Sequence, residues 1–163
     1  MSGIDRLVRW NHANVESAAV SDVDAVPVTK TTIVTCMDAR ISIPLMLGVY
    51  PGQVHVLRNA GGIVTDDTVR SILVSQVALG TEEVMVIGHT RCGMEGLADN
   101  EFRARVSRER GHHPVFDVGG FDRLEDRVGR SVRELRRNNL IQGDVRGFTF
   151  DVDTGYLEEL EID

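Results

Sequence analysis

Three short runs of β-branched and aliphatic residues dominate what this chain can fold into: Thr31-Thr32-Ile33-Val34-Thr35, Gln53-Val54-His55-Val56-Leu57 and Glu83-Val84-Met85-Val86-Ile87. Such runs suit strands buried on both faces, as in a parallel sheet. Between the second and third, Val69, Ile72, Leu73, Gln76 and Val77 recur at helical spacing from Thr65 to Leu79, and Gly80 follows as a C-cap. A second amphipathic stretch runs from Asp122 to Asn138, with Leu124, Val128, Val132 and Leu135 on one face and arginines on the other. Strands alternating with helices imply a mostly parallel sheet with helices packed on it.

The end of the chain follows a different pattern. Residues 147–162, GFTFDVDTGYLEELEI, alternate apolar and polar side chains around Asp153-Thr154-Gly155, which predicts an antiparallel strand pair at the sheet edge. The expected fold is α/β, with a central mostly parallel sheet of about four strands flanked by helices, and an antiparallel edge strand near the C-terminus. No repeat or linker interrupts the 163 residues, so they are read as a single domain, with residues 1–26 as a short N-terminal helical arm.

Composition mainly excludes. Lys+Arg 18 against Asp+Glu 25 gives a net charge of -7, without the basic excess that phosphate binding needs, so no nucleic-acid partner is expected. The run Arg133-Glu134-Leu135-Arg136-Arg137 is read as a solvated helix face. Nothing approaches the ~18 consecutive apolar residues of a membrane span, and the N-terminus lacks the apolar segment of a secretion signal. The chain is therefore expected to be cytoplasmic, a setting in which cysteines more often serve metal binding or catalysis than disulfides. It has two, Cys36 and Cys92.

Cys36 ends the first predicted strand, and Gly88-His89-Thr90-Arg91-Cys92-Gly93 ends the third. Functional groups in a parallel α/β sheet collect at the carboxyl ends of strands, so two thiols and an imidazole converge there. Cys36, His89 and Cys92 form a soft donor set suited to tetrahedral zinc, and three protein ligands leave the open position of a catalytic site. His12, His55, His112 and His113 remain available as a further ligand, although the loop histidines His112 and His113 are read as solvated. Asp38 and Arg40 alternate with Cys36. A carboxylate so placed either binds the metal itself or orients a water held there, with Arg40 as its partner.

Other readings weaken on inspection. Cys36 alone, after Ile33 and Val34, reads as a small core hydrophobe. A phosphatase cradle would need an arginine where Ser42 stands, and Arg58-Asn59-Ala60-Gly61-Gly62 lacks the spacing of a phosphate-binding loop. That stretch is read instead as a tight turn lining the metal crevice.

Cys36-Met37-Asp38-Ala39-Arg40 together with Gly88-His89-Thr90-Arg91-Cys92-Gly93 resembles the paired zinc motifs of the β-class carbonic anhydrases. Pro51-Gly52, Arg58-Asn59-Ala60-Gly61 and the stretch from Gly147-Phe148 to Thr154-Gly155 carry the resemblance further. The resemblance implies reversible hydration of carbon dioxide to bicarbonate, one zinc per subunit, and a homodimer or dimer of dimers. It implies Cys36, His89 and Cys92 as metal ligands, with Asp38, paired to Arg40, as the catalytic carboxylate or a fourth ligand. The chain departs from the family at Pro27, where many members carry a glutamine that reaches toward substrate in the facing subunit. Its segment before the first strand is also shorter than the N-terminal helices with which many members embrace their partner. Two alternatives are hydrolysis of carbon disulfide or carbonyl sulfide by a related zinc enzyme, and a zinc-binding scaffold without turnover.

Overall fold

A computed structural model describes residues 1–163. The three Val/Ile-rich runs become β1 (Thr31–Cys36), β2 (Val54–Asn59) and β3 (Glu83–His89), joined by β4 (Asp144–Phe150) and β5 (Leu157–Leu160) in one sheet ordered β2-β1-β3-β4-β5. Strands β2, β1, β3 and β4 run parallel, and only β5 is antiparallel, paired to β4. The expected architecture is observed, with one refinement. The C-terminal pair is not wholly at the edge: β4 is an interior strand docked along β3 from Glu83↔Asp144 to His89↔Phe150, and of the pair only β5 lies at a margin, with β2 at the other.

Alternation along the strands sorts side chains into two layers. Val34, Val84, Val86 and Val145 face Ile72 of α4 (Asp66–Leu79) and Val128, Val132 and Leu135 of α6 (Leu124–Arg137). Ile33 and Ile87 face the opposite way, against Ile41, Ile43 and Phe148. Helix α4 starts where predicted, with the Thr65 hydroxyl accepting from Thr68 N–H, and stops at Gly80 in the left-handed region, φ 68°. Two helices lack the periodicity that would announce them. α3 (Ile43–Leu47) is a single short element opened by Pro44. α5 (Asp99–Arg110) buries no residue and is tied down by its charges, with Asp99 accepting from Val118 and Gly120 N–H and Arg103 paired to Asp117.

The N-terminal arm consists of α1 (Gly3–Ala13), α2 (Val15–Ala18) and the segment leading to β1. A capping box closes α1: Ser2 Oγ accepts from Asp5 N–H, and Asp5 Oδ2 accepts from Ser2 N–H. Its apolar stripe, Ile4, Leu7 and Val8, is covered by nothing in the chain. The arm joins the body where Val28 N–H donates to Gly52 O at 2.9 Å and Val23 lies against Gly52. No helix is long and apolar enough to cross a membrane.

Helix α6 lies close to the sheet because glycines form its floor. A Cβ on Gly88 would come within 2.6 Å of Val128 and 2.7 Å of Leu124, and one on Gly147 within 2.8 Å of Val128. Since Gly88 directly precedes His89, the same close contact that seats α6 also seats the end of β3. Gly88→Ala should therefore cost about 1–3 kcal/mol through overpacking. Chemical denaturation measures this, and unchanged stability would mean that α6 is free to retreat.

Candidate metal centre

Parallel pairing builds the site. Thr35 lies opposite Ile87, so β1 and β3 deliver Cys36 and His89 to the same carboxyl edge of the sheet. Beyond His89, Thr90 N–H donates to Phe150 O, and Arg91 takes a left-handed conformation, φ 53°, turning the chain back. Cys92 thereby returns to the end of β1, its Sγ 3.9 Å from Cys36 Sγ.

Cys36, His89 and Cys92 each offer one donor atom, and the three atoms lie within 4.8 Å of one another. All three residues are buried and both thiols are free. The His89 ring is fixed through Nδ1, 3.0 Å from the Thr90 carbonyl, which leaves Nε2 buried without a hydrogen-bond partner. A buried imidazole nitrogen left this way calls for an acceptor of its lone pair. Tetrahedral zinc with bonds of about 2.3 Å to sulfur separates two thiolates by about 3.8 Å, so the sulfur spacing fits.

The two thiols are shifted in opposite directions. Burial alone would raise both. At Cys36 this is outweighed by the adjacent His89 ring and by N–H groups of Asp38 and Gly61 aimed at the sulfur, and the thiol falls below its ordinary value. At Cys92 burial dominates; Met94 N–H opposes it, the Cys36 thiolate adds to it, and the thiol is pushed up. His89 is raised, because the Cys36 sulfur and the Thr90 carbonyl together outweigh its burial. The Gly61 donor depends on two consecutive left-handed glycines, Gly61 at φ 79° and Gly62 at φ 61°. A Cβ on Gly62 would lie 2.9 Å from the carbonyl carbon of Thr35. The Arg58–Gly62 stretch is thus a tight turn against the crevice, as read from the sequence.

Asp38 stands beside the donors, engaged by Arg40. Its Oδ1 accepts from the Arg40 backbone N–H and Nε, each at 2.9 Å, and its Oδ2 accepts from Nη2 at 2.7 Å while lying 3.9 Å from His89 Nε2. These hydrogen bonds from Arg40 hold the carboxyl well below the usual carboxylate range. Arg40 Nη2 also donates to the Arg91 carbonyl at 2.8 Å. The other histidines lie elsewhere: His55 between Ser75 and the Ala25 carbonyl, His113 against Ser107, and His12 and His112 exposed.

Sequence reasoning gave Arg58 no task of its own. Its Nε donates to the Cys36 carbonyl at 3.0 Å and its Nη2 to the Asp38 carbonyl at 2.7 Å, clamping the turn that carries both side chains. The only advance signal was its place near the end of a predicted strand, since contacts to carbonyls leave no residue pattern.

Both thiols must ionise to bind a divalent metal, so binding releases protons. Because Cys92 holds its proton beyond the ordinary thiol value of ~8.5, apparent zinc affinity should keep climbing from about pH 6 to about pH 9. Competition against a chelator across that range tests this. A profile that levels off once Cys36 is ionised, near pH 7, would remove Cys92 from the donor set.

Comparison with known proteins agrees with this geometry. A carbonic anhydrase family profile matches residues 31–115. Beta-carbonic anhydrase 1 of Mycobacterium tuberculosis is 39% identical over 153 residues, covering 92% of this chain and 93% of that protein. A carbon disulfide hydrolase of an Acidianus species is 31% identical over 172 residues, covering 89% and 84%. The crystal structure of a carbonic anhydrase from Streptococcus mutans superposes with a TM-score of 0.93 at 35% identity, covering 99% of each chain. With its matching sheet and its Cys-His-Cys donor cluster at the carboxyl edge, the chain belongs to the β-carbonic anhydrase family of enzymes.

Proposed function

We propose that this chain catalyses the reversible hydration of carbon dioxide to bicarbonate and a proton, with one zinc per subunit held by Cys36, His89 and Cys92. The observation that carries the reading is the buried three-donor cluster with the Asp38–Arg40 pair beside it. When bound, zinc supplies Lewis acidity that lets a water at its open position ionise near neutral pH. Two thiolates offset much of the cation's charge, so the activity should favour alkaline pH.

The chain's own groups do the rest. The Thr90 carbonyl keeps His89 in the tautomer that presents Nε2. Asp38, ionised by its pairing with Arg40, is acceptor only. It takes the hydrogen bond of the attacking water and turns that oxygen's lone pair toward the carbon of carbon dioxide, an orienting role rather than proton abstraction. Three hydrogen bonds from Arg40 already engage Asp38, which supports this role over direct ligation. The released proton leaves through water or buffer.

Stopped-flow carbon dioxide hydration on zinc-quantified protein tests the reading; one zinc per chain without a rate above buffer would leave a binding scaffold. Arg40→Ala should keep most of the zinc and lose about 10–100-fold in rate. Cys92→Ser should lose zinc and thermal stability together. Full activity in the former would reduce the pair to an ordinary ion pair. The relationship to a carbon disulfide hydrolase favours one second reading, hydrolysis of that sulfur analogue. Sulfide release from carbon disulfide, without carbon dioxide hydration, would select it.

A homodimer or dimer of dimers is part of the proposal. The uncovered stripe Ile4, Leu7 and Val8 on α1, with Trp10 also exposed, supports burial against a second copy. Light scattering should show a dimer or larger at micromolar concentration, and a monomer would count against it. Two free thiols at the site suit a reducing cytoplasmic setting.

A further inference from the structure

Arg91 is one of two residues other than glycine with positive φ, at 53°, and it lies between the ligands His89 and Cys92. Residues other than glycine enter this region at a steric cost and persist there where their surroundings hold them. Two neighbours do so. Before it, Thr90 is tied to the end of β4 twice, its N–H donating to Phe150 O at 3.0 Å and its Oγ1 accepting from Val152 N–H at 3.1 Å. At its own side chain, Arg91 Nη2 meets Asp153 Oδ1 at 2.5 Å. Asp153 is itself set by the β4–β5 turn, where Asp151 Oδ1 accepts from Asp153 N–H at 2.7 Å and from Thr154 N–H at 3.2 Å.

The consequence of this conformation is where the Arg91 carbonyl points. It accepts from Arg40 Nη2 at 2.8 Å, on the same nitrogen that holds Asp38 Oδ2. Arg40 is thereby fixed from both sides, by the carboxylate it serves and by a carbonyl on the other ligand-bearing loop. We infer that Arg91 is a positioning residue for the Asp38–Arg40 pair: its left-handed backbone aims a carbonyl at the Arg40 guanidinium, and Asp153 in the β4–β5 turn holds it in that conformation. The Arg91–Asp153 pair is exposed, at 60% and 59%, so it adds little to overall stability. Its work is local, biasing one peptide between two orientations. The inference rests on the orienting role proposed for Asp38.

The test uses zinc-loaded full-length protein and reads zinc content, kcat and KM separately, and the Arg40 Nε–H resonance in nitrogen-15 NMR, assigned by its absence from Arg40→Ala. Valine at position 91 strongly disfavours positive φ, whereas glycine adopts it freely. Arg91→Val should keep its zinc, lose about 10-fold in kcat with KM nearly unchanged, and lose the slowly exchanging Arg40 signal. Arg91→Gly should retain both rate and signal. Should the valine variant not fold, the surface substitution Asp153→Asn serves in its place, with a kcat reduced a few-fold and a faster-exchanging Arg40 signal expected. The inference is overturned by a valine variant with wild-type kcat and signal, by a glycine variant as impaired as valine, or by an Asp153→Asn variant unchanged in both readouts. Full activity in Arg40→Ala would instead sink the orienting role of Asp38, and the Arg40 signal would then decide the positioning of Arg91 by itself.

Discussion

The parallel pairing of β1 with β3 is the constraint on which everything at the site depends. Parallel strands present their carboxyl ends together, so Cys36 and His89, far apart in sequence, end at one edge of the sheet. Had the two strands run antiparallel, the thiol and the imidazole would lie at opposite ends. The pairing is secured from both faces, by α4 and α6 on one side and by the Ile33, Ile41, Ile43 and Ile87 cluster on the other. The glycine floor beneath α6 lets that helix press on the last residues of β3, which makes core packing and ligand placement one problem.

At the edge itself the chain manages charge in a buried place. Two thiols and an imidazole cannot all ionise freely there, and the structure divides the burden. Backbone N–H groups from Asp38 and Gly61 converge on Cys36, while Cys92, with Met94 N–H alone, keeps its proton until a cation offsets it. The carboxylate next to them is satisfied by Arg40 and not by the donors. Arg58, which holds the Cys36 and Asp38 carbonyls, and the Arg91 carbonyl, which holds Arg40, complete a shell of arginine contacts around the site. Most of these contacts involve backbone atoms, so their precision comes from where the loops run.

The N-terminal arm obeys a different logic. Its helices bury nothing within the chain, and its apolar stripe gains from burial only against another surface. Helix α5 is the polar counterpart, fastened by Asp99, Arg103 and Asp117 in place of a hydrophobic face. Neither element helps to place the donors, which the sheet already fixes.

Much of the architecture was legible in the sequence because burial on both faces of a parallel sheet demands continuous Val/Ile runs, which mark β1 and β3 directly; β2 carries the same kind of run but lies at the sheet edge with no residue fully buried. The crossover helix α4 and the amphipathic α6 were legible from their helical periodicity, although α4 buries Thr68, Ile72 and Ser75 and leaves Val77 of the expected face exposed. Residue chemistry likewise marked Cys36, His89 and Cys92 as donors and Asp38 with Arg40 as their neighbours. Tertiary structure alone decided that β4 lies inside the sheet and that α3 and α5 exist, since those choices turn on neighbours rather than on periodicity. It alone decided the 3.9 Å between the two sulfurs, the clamp of Arg58 on two carbonyls and the turn of Arg91 toward Arg40. A sequence specifies side chains, whereas these contacts are made by backbone atoms and close approaches that exist only once distant segments have been brought together.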